Sequence, residues 1–136
     1  MDVTNAVYPG PSQIADFFGA PEDGPFVMVN LLKFKDKAEY ADGSDPDLSG
    51  REAYERYGAE VAKLVIGLGG RIRYSGAVTG LLLGEVEDLW DMVALAEYPS
   101  LAAFQAMATS PQMRAIEHHR SAGLAGQLNI RTRPRD

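Results

Sequence analysis

Phe26–Phe34 reads FVMVNLLKF, an apolar run interrupted only by Asn30 and Lys33. Its length and its Val and Leu content suit a β-strand covered on both faces. Strand alternation places Phe26, Met28, Asn30, Leu32 and Phe34 on one face, and Val27, Val29, Leu31 and Lys33 on the other. The amide at the centre is expected to point into a polar enclave, because each unsatisfied buried group costs about 1–3 kcal/mol. Lys33, near the strand end, is expected to reach solvent or an acidic partner.

Upstream of this strand, residues 1–10 read as a loose arm. Pro11 and Ser12 open a short helix with Ile14, Phe17 and Phe18 on one face and Gly19 as its stop. APEDG (20–24) is turn chemistry. Downstream, KDKAEYADGSDPDL (35–48) reads as a long surface loop, a kind of segment that often carries function or motion. Ser49 and Glu52 then have capping-box spacing, and Tyr54, Tyr57, Val61, Leu64, Val65 and Leu68 recur at helical spacing until Gly69 and Gly70. Residues 71–83 read as a second strand, with Gly76 and Gly80 marking bulges or bends. GEVED (84–88) turns into a third strand, WDMVALAEY (90–98). Ser100 caps a helix carrying Leu101, Phe104 and Met107. Ser110 and Pro111 restart it after a break at 108–111, with Met113, Ile116, Arg120 and Leu124 on one face. A last strand, 125–132, precedes the tail RPRD.

The order β-α-β-β-α-β predicts an α+β, ferredoxin-like fold: an antiparallel sheet with its helices on one face. The expected organisation is an arm with a short helix (1–24), the fold domain (25–132) and a tail (133–136). Two helices cover one face of a sheet, yet 26–34 is apolar on both. A partner subunit packed sheet to sheet is the economical cover, so a homodimer is expected.

Composition narrows the function. At 136 residues, one domain is expected. A formal charge of −6 disfavours nucleic acid and anionic membrane as partners. The absence of cysteine excludes disulfides, thiolate nucleophiles and cysteine metal sites. No apolar run approaches a membrane span and no signal pattern stands at the N-terminus, so a cytoplasmic location is expected. There is no phosphate-binding loop or nucleophile elbow, and adjacent His118 and His119 make a poor chelate, so neither a cofactor nor a metal is expected.

Several side chains are candidates for a site. Asn30 is a cavity-lining group or a satisfied buried amide. Asp91 is a base or one half of an ion pair with Arg71 or Arg73. Trp90, on the opposite strand face from Asp91, reads as core or dimer interface. Tyr54 and Tyr57 are neighbours on the sheet-facing side of the first long helix. His118 reads as a complement to the helix dipole. Arg120 shares the inward face of the last helix, where it needs an acid or an anionic ligand.

The segments PFVMVNLLKFK (25–35), GREAYERYG (50–58), GGRIRYSG (69–76) and WDMVALAEYPSLAAFQAM (90–107), with SPQM (110–113) and HRSAGL (119–124), resemble the domain-of-unknown-function family 1330. That family looks like part of the dimeric α+β barrel superfamily, in which two ferredoxin-like subunits stack their sheets. Other branches include cofactor-independent monooxygenases, small-ring isomerases and haem-binding enzymes. The resemblance implies fold and dimer; one fold hosts many chemistries.

The leading functional expectation is a pocket between helices and sheet that binds a small polar or aromatic molecule. Its expected lining is Asn30, Tyr54, Tyr57, Asp91, His119 and Arg120. If catalytic, it would perform cofactor-independent proton transfer or oxygenation, with His119 or Asp91 as base. The alternative is a non-catalytic dimeric structural or interaction module. A cavity of ~300 Å³ or more with convergent polar groups separates the two.

Overall fold

The strands Phe26–Phe34 (β1), Arg71–Ala77 (β2), Met92–Tyr98 (β3) and Leu124–Thr132 (β4) form one antiparallel sheet in the order β2-β3-β1-β4. This is the arrangement in a computed structural model of the chain, in which residues 1–21 and 24–135 are described. The expected turn at 20–24 includes residues 22 and 23, and the tail ends at 136; these three lie outside the described residues. The helices are Pro11–Phe18 (α1), Gly50–Gly67 (α2), Leu101–Ala108 (α3) and Pro111–Gly123 (α4). The fold is the ferredoxin-like α+β sandwich, with a short helix added at the front. β1 lies between β3 and β4, so both of its edges are paired.

Local chemistry sets the helix boundaries. Ser49 Oγ accepts the Glu52 N–H at 3.0 Å and Glu52 Oε1 accepts the Ser49 N–H at 3.1 Å, closing the capping box of α2. The Ser110 side chain accepts the Met113 N–H and Pro111 is the first helical residue, so α3 and α4 are separate pieces where the sequence placed a break. The start of α2 and the end of α4 meet through glycines. A Cβ on Gly50 would lie 2.1 Å from the Lys35 carbonyl oxygen, and one on Gly123 would lie 2.4 Å from the Gly50 carbonyl oxygen.

All four helices use one side of the sheet. Phe26, Met28, Ala96 and Tyr98 from the strands join Val65, Leu101, Met107 and Met113 in the core, with Phe17 and Phe18 packed against it. Asn30 is therefore on the helix-covered face. On the other face Val29 lies opposite Leu95 and Ile130, and Leu31 lies opposite Val93 and Leu128. No helix of the described residues packs there, and Ile130 and Tyr74 are 46% and 57% exposed. No helix among the described residues is long and apolar enough to cross a membrane.

Four local expectations are corrected. β2 ends at Ala77, not at 83. The Val78 N–H still reaches the Asp91 carbonyl at 2.9 Å, but β3 begins at Met92 and offers no further partner, so Leu81, Leu82 and Leu83 stand exposed in a loop. The irregularity in β2 falls between Ile72 and Tyr74, not at Gly76 or Gly80. Trp90 precedes β3 and is neither core nor strand; its indole N–H donates to Asn5 Oδ1 at 2.7 Å. The arm is also not loose, since Ala6 bridges Gln127 of β4.

Candidate functional site

Asn30 is one link of a polar chain running beneath the helices. Arg120 Nη2 donates to Gln127 Oε1 at 2.7 Å, and Gln127 Nε2 donates to Asn30 Oδ1 at 2.7 Å. Asn30 Nδ2 in turn donates to the Ala94 carbonyl at 3.2 Å. The direction of this chain is dictated by Arg120. A guanidinium only donates, so the Gln127 oxygen must face it, the Gln127 NH₂ must face Asn30, and the Asn30 NH₂ is left for the backbone. Gln127 comes from β4, where it lies opposite Leu32 and is 8% exposed. The sequence reading missed it. The available signal was register: once β4 pairs with β1, Gln127 falls on the same face as Asn30.

Asn30 also lies at the edge of a cavity of about 610 Å³ between α2 and the sheet. Small residues on the helix-covered face of β2 and β3 create it: Ser75, Ala77, Ala94 and Ala96 leave volume that the side chains of α2 do not fill. Tyr54, Tyr57 and Tyr98 wall the cavity, and Arg51 and Glu55, both exposed, line it from the solvent side of α2. Tyr57 Oη is 3.8 Å from the Met113 sulfur, a weak acceptor. Tyr54 and Tyr98 have no hydrogen-bond partner among the described residues, although Tyr98 is only 6% exposed. No buried side-chain oxygen or nitrogen of the described residues is sealed off without a partner. The two hydroxyls therefore open onto the cavity.

Burial pushes the phenols of Tyr54, Tyr57 and Tyr98 up, and the positive charge of Arg120 opposes part of the rise at Tyr54 and Tyr57. All three are neutral at physiological pH and can donate or accept a hydrogen bond. None is a base there.

Of the six residues singled out in the sequence, Asn30, Tyr54 and Tyr57 line this cavity. Arg120 is joined to it through Gln127 but lines a second cavity, of about 290 Å³, under the N-terminal arm. Asp91 is elsewhere. Its Oδ2 accepts the Phe34 N–H at 2.9 Å and its Oδ1 is 3.4 Å from Lys33 Nζ, while its own N–H goes to the Leu32 carbonyl at 2.7 Å. These bonds extend the β1–β3 ladder past the end of β3. Its cationic partner is Lys33, not Arg71 or Arg73, which both pair with Glu97. Lys33 also meets Asp88 at 2.9 Å, and that bond is the main reason its ammonium pKa is raised.

His119 belongs to a third group, beneath the 35–48 loop. Its Nδ1 is 2.7 Å from Tyr40 Oη, which accepts from Arg56 at 3.3 Å, and Arg56 pairs with Asp45 at 3.0 Å. Tyr40 Oη, which accepts from Arg56, thus engages Nδ1 of His119 in either tautomer of the ring. Burial, followed by His118 and Arg56, holds the His119 pKa below the ordinary value. The described residues contain no group of three or more His, Asp or Glu side chains placed to hold a metal ion.

No protein-family model and no functionally curated protein matches the sequence. Among solved structures, the chain is similar to the RPA0582 protein of Rhodopseudomonas palustris, a protein of unknown function. Identity is 33%, the match covers 98% of this chain and 99% of that one, and the TM-score is 0.87. The methylated RPA0582 protein matches at 34% identity, 98% coverage of each chain and a TM-score of 0.89. A dabb family protein with a ferredoxin-like fold from Mesorhizobium loti matches at 12% identity over 84% of this chain and 100% of that chain, with a TM-score of 0.50. That third likeness bears on fold alone.

Proposed function

The chain belongs to the family of the Rhodopseudomonas palustris RPA0582 protein of unknown function, and from that premise we propose that it is a homodimeric small-molecule-binding protein whose ligand occupies the cavity between α2 and the sheet. The observation that carries this reading is the pair of partnerless hydroxyls, Tyr54 and Tyr98, beside Asn30 on a cavity of about 610 Å³. A structural module would have filled that volume, since protein interiors pack to the density of organic crystals. The inner walls carry no ionised group: the tyrosines are neutral, and the charged Arg51 and Glu55 stand at the exposed rim. Both Asn30 N–H groups face backbone carbonyls, those of Ala94 and Met28, so Asn30 offers the ligand only the remaining lone pair of Oδ1. The ligand is a small neutral molecule with an apolar or aromatic body and a hydroxyl or N–H group to donate to Asn30.

Binding, not base catalysis, is the reading favoured. Neither His119 nor Asp91 lines the cavity, and Nδ1 of His119 is engaged by Tyr40. The dimer is supported by the open face of the sheet, where Val29, Leu31, Val93 and Leu95 form a continuous apolar stripe around β1 and β3. The sequence resemblance to the domain-of-unknown-function family 1330, and through it to the dimeric α+β barrels, supports the same proposal. The test is a thermal-shift screen of hydroxylated aromatic compounds against the wild type and Tyr98→Phe. Stabilisation of the wild type that drops in Tyr98→Phe supports the site. If no compound stabilises the wild type, or if Tyr98→Phe responds equally, the cavity is not the binding site.

A further inference from the structure

The second cavity has a different chemistry. Residues 4–9 of the arm cross the edge of β4 and enclose about 290 Å³ against the helices, the lower end of the size range of small-ligand sites. Phe17, Phe18, Phe104, Met28 and Ile14 supply its apolar wall. Arg120 supplies its charge. The guanidinium is half-buried, and no carboxylate of the described residues lies within 4.0 Å of it. Its partners are Gln127 Oε1 and the face of the Tyr8 ring, 6.0 Å away. Neither is charged. One of five N–H donors is used, none of the other guanidinium nitrogens is sealed off without a partner, and the side chain lines the cavity. A partly desolvated guanidinium without a counter-charge is costly, and a bidentate carboxylate is the ligand its geometry matches.

The arm is held as a wall, not draped at random. Tyr8 Oη is hydrogen-bonded to Ser121 Oγ, Ala6 bridges Gln127, and Asn5 accepts from Trp90. Close approach of the arm depends on Gly126, where a Cβ would come within 2.7 Å of Asn5 Cβ. We propose that this cavity is a second ligand site, which takes a monocarboxylate with an apolar body, the carboxylate on Arg120 and the body against Phe17, Phe18 and Phe104. A single cation in a lining of aromatic and aliphatic side chains, with only neutral polar groups such as Gln13 and Asn129 beside them, favours one negative charge on a largely apolar molecule. The chain Arg120–Gln127–Asn30 joins this site to the α2 cavity, so one carboxylate would fix the donors that orient Asn30.

The probe is octanoate, titrated into the full chain by calorimetry and by the emission of Trp90, the single tryptophan, whose indole N–H is bonded to the arm. The expected result is saturable binding with a sub-millimolar Kd and a change in Trp90 emission. Octanamide and acetate should each bind at least about tenfold more weakly, the first lacking the charge and the second the apolar body. Arg120→Met should lose at least about tenfold in octanoate affinity, while Tyr98→Phe should bind it unchanged. Should Arg120→Met fail to fold, Gly126→Val keeps Arg120 and its acceptor but forces the arm away, and it should weaken octanoate and shift Trp90 emission. Octanamide or acetate binding as tightly as octanoate would overturn the proposal. So would undiminished affinity in Arg120→Met or Gly126→Val, or the absence of saturable binding in the millimolar range.

Discussion

Asn30→Leu puts the polar chain at risk directly, and the two opposing effects can be weighed. Removing Asn30 Oδ1 strands the Gln127 NH₂. Gln127 is 8% exposed, so that group cannot turn to water, and the loss is about 1–3 kcal/mol. Leucine returns some apolar burial, which is about 1.5–3 kcal/mol for a fully buried side chain. Position 30 is only half-buried beside an open cavity, so about half of that gain is available. The bond to the Ala94 carbonyl is lost as well. The stranded amide wins by about 1 kcal/mol, a fall in Tm of roughly 3–5 °C for a chain of this size.

The double variant Asn30→Leu/Gln127→Leu removes both amides. Replacing both partners by apolar groups is nearly neutral, so the double variant should be less destabilised than the sum of the singles by ~1 kcal/mol or more. Thermal and urea unfolding at one fixed protein concentration is the assay, because the Tm of a dimer depends on concentration. Strict additivity would show that the two side chains do not act as a unit. A higher Tm in Asn30→Leu, with dimer and ligand binding unchanged, would refute the reasoning and remove the site reading with it.

Leu31→Glu places a charge at the centre of the open sheet face, and light scattering should report a shift from dimer to monomer with the secondary structure kept; an unchanged dimer would locate the interface elsewhere. Gly50→Ala puts a methyl group 2.1 Å from the Lys35 carbonyl oxygen, which should destabilise by about 3 kcal/mol or more in urea unfolding, well beyond a half-buried Gly58→Ala control with open space around it. His119 has a depressed folded-state pKa, so the unfolded chain binds its proton first as pH falls. The stability it contributes is full above the ordinary histidine value of 6.5 and is lost as pH drops through the folded value; His119→Gln should flatten that part of a Tm-against-pH curve.

Much of this molecule is decided locally, and those parts are legible in the chain. The run at 26–34 reads as a strand because its alternating apolar residues suit a sheet centre, where the helices cover one face. Ser49 with Glu52, Ser100, and Ser110 with Pro111 place helix starts because capping acts over three or four residues. Side-chain alternation and helical spacing put Asn30 on one strand face and Tyr54 and Tyr57 on the sheet-facing side of α2. Where a property depends on pairing, the sequence misleads. The leucines at 81–83 have strand character, yet they lack a strand to pair with, since ladder bonds come from a partner and not from the segment itself. Trp90 and Asp91 look like strand residues for the same reason and instead tie down the arm and the end of β1. The polar chain is the strongest case. Arg120 and Gln127 are seven positions apart across the α4–β4 boundary, and Asn30 lies 97 residues from Gln127, so only antiparallel register brings the three amide and guanidinium groups to 2.7 Å contacts. The same register separates His119 and Asp91 from the cavity and sets small residues of two strands beneath one helix. Residue types announce what each group can bond to; which group it meets is settled by the packing of distant segments.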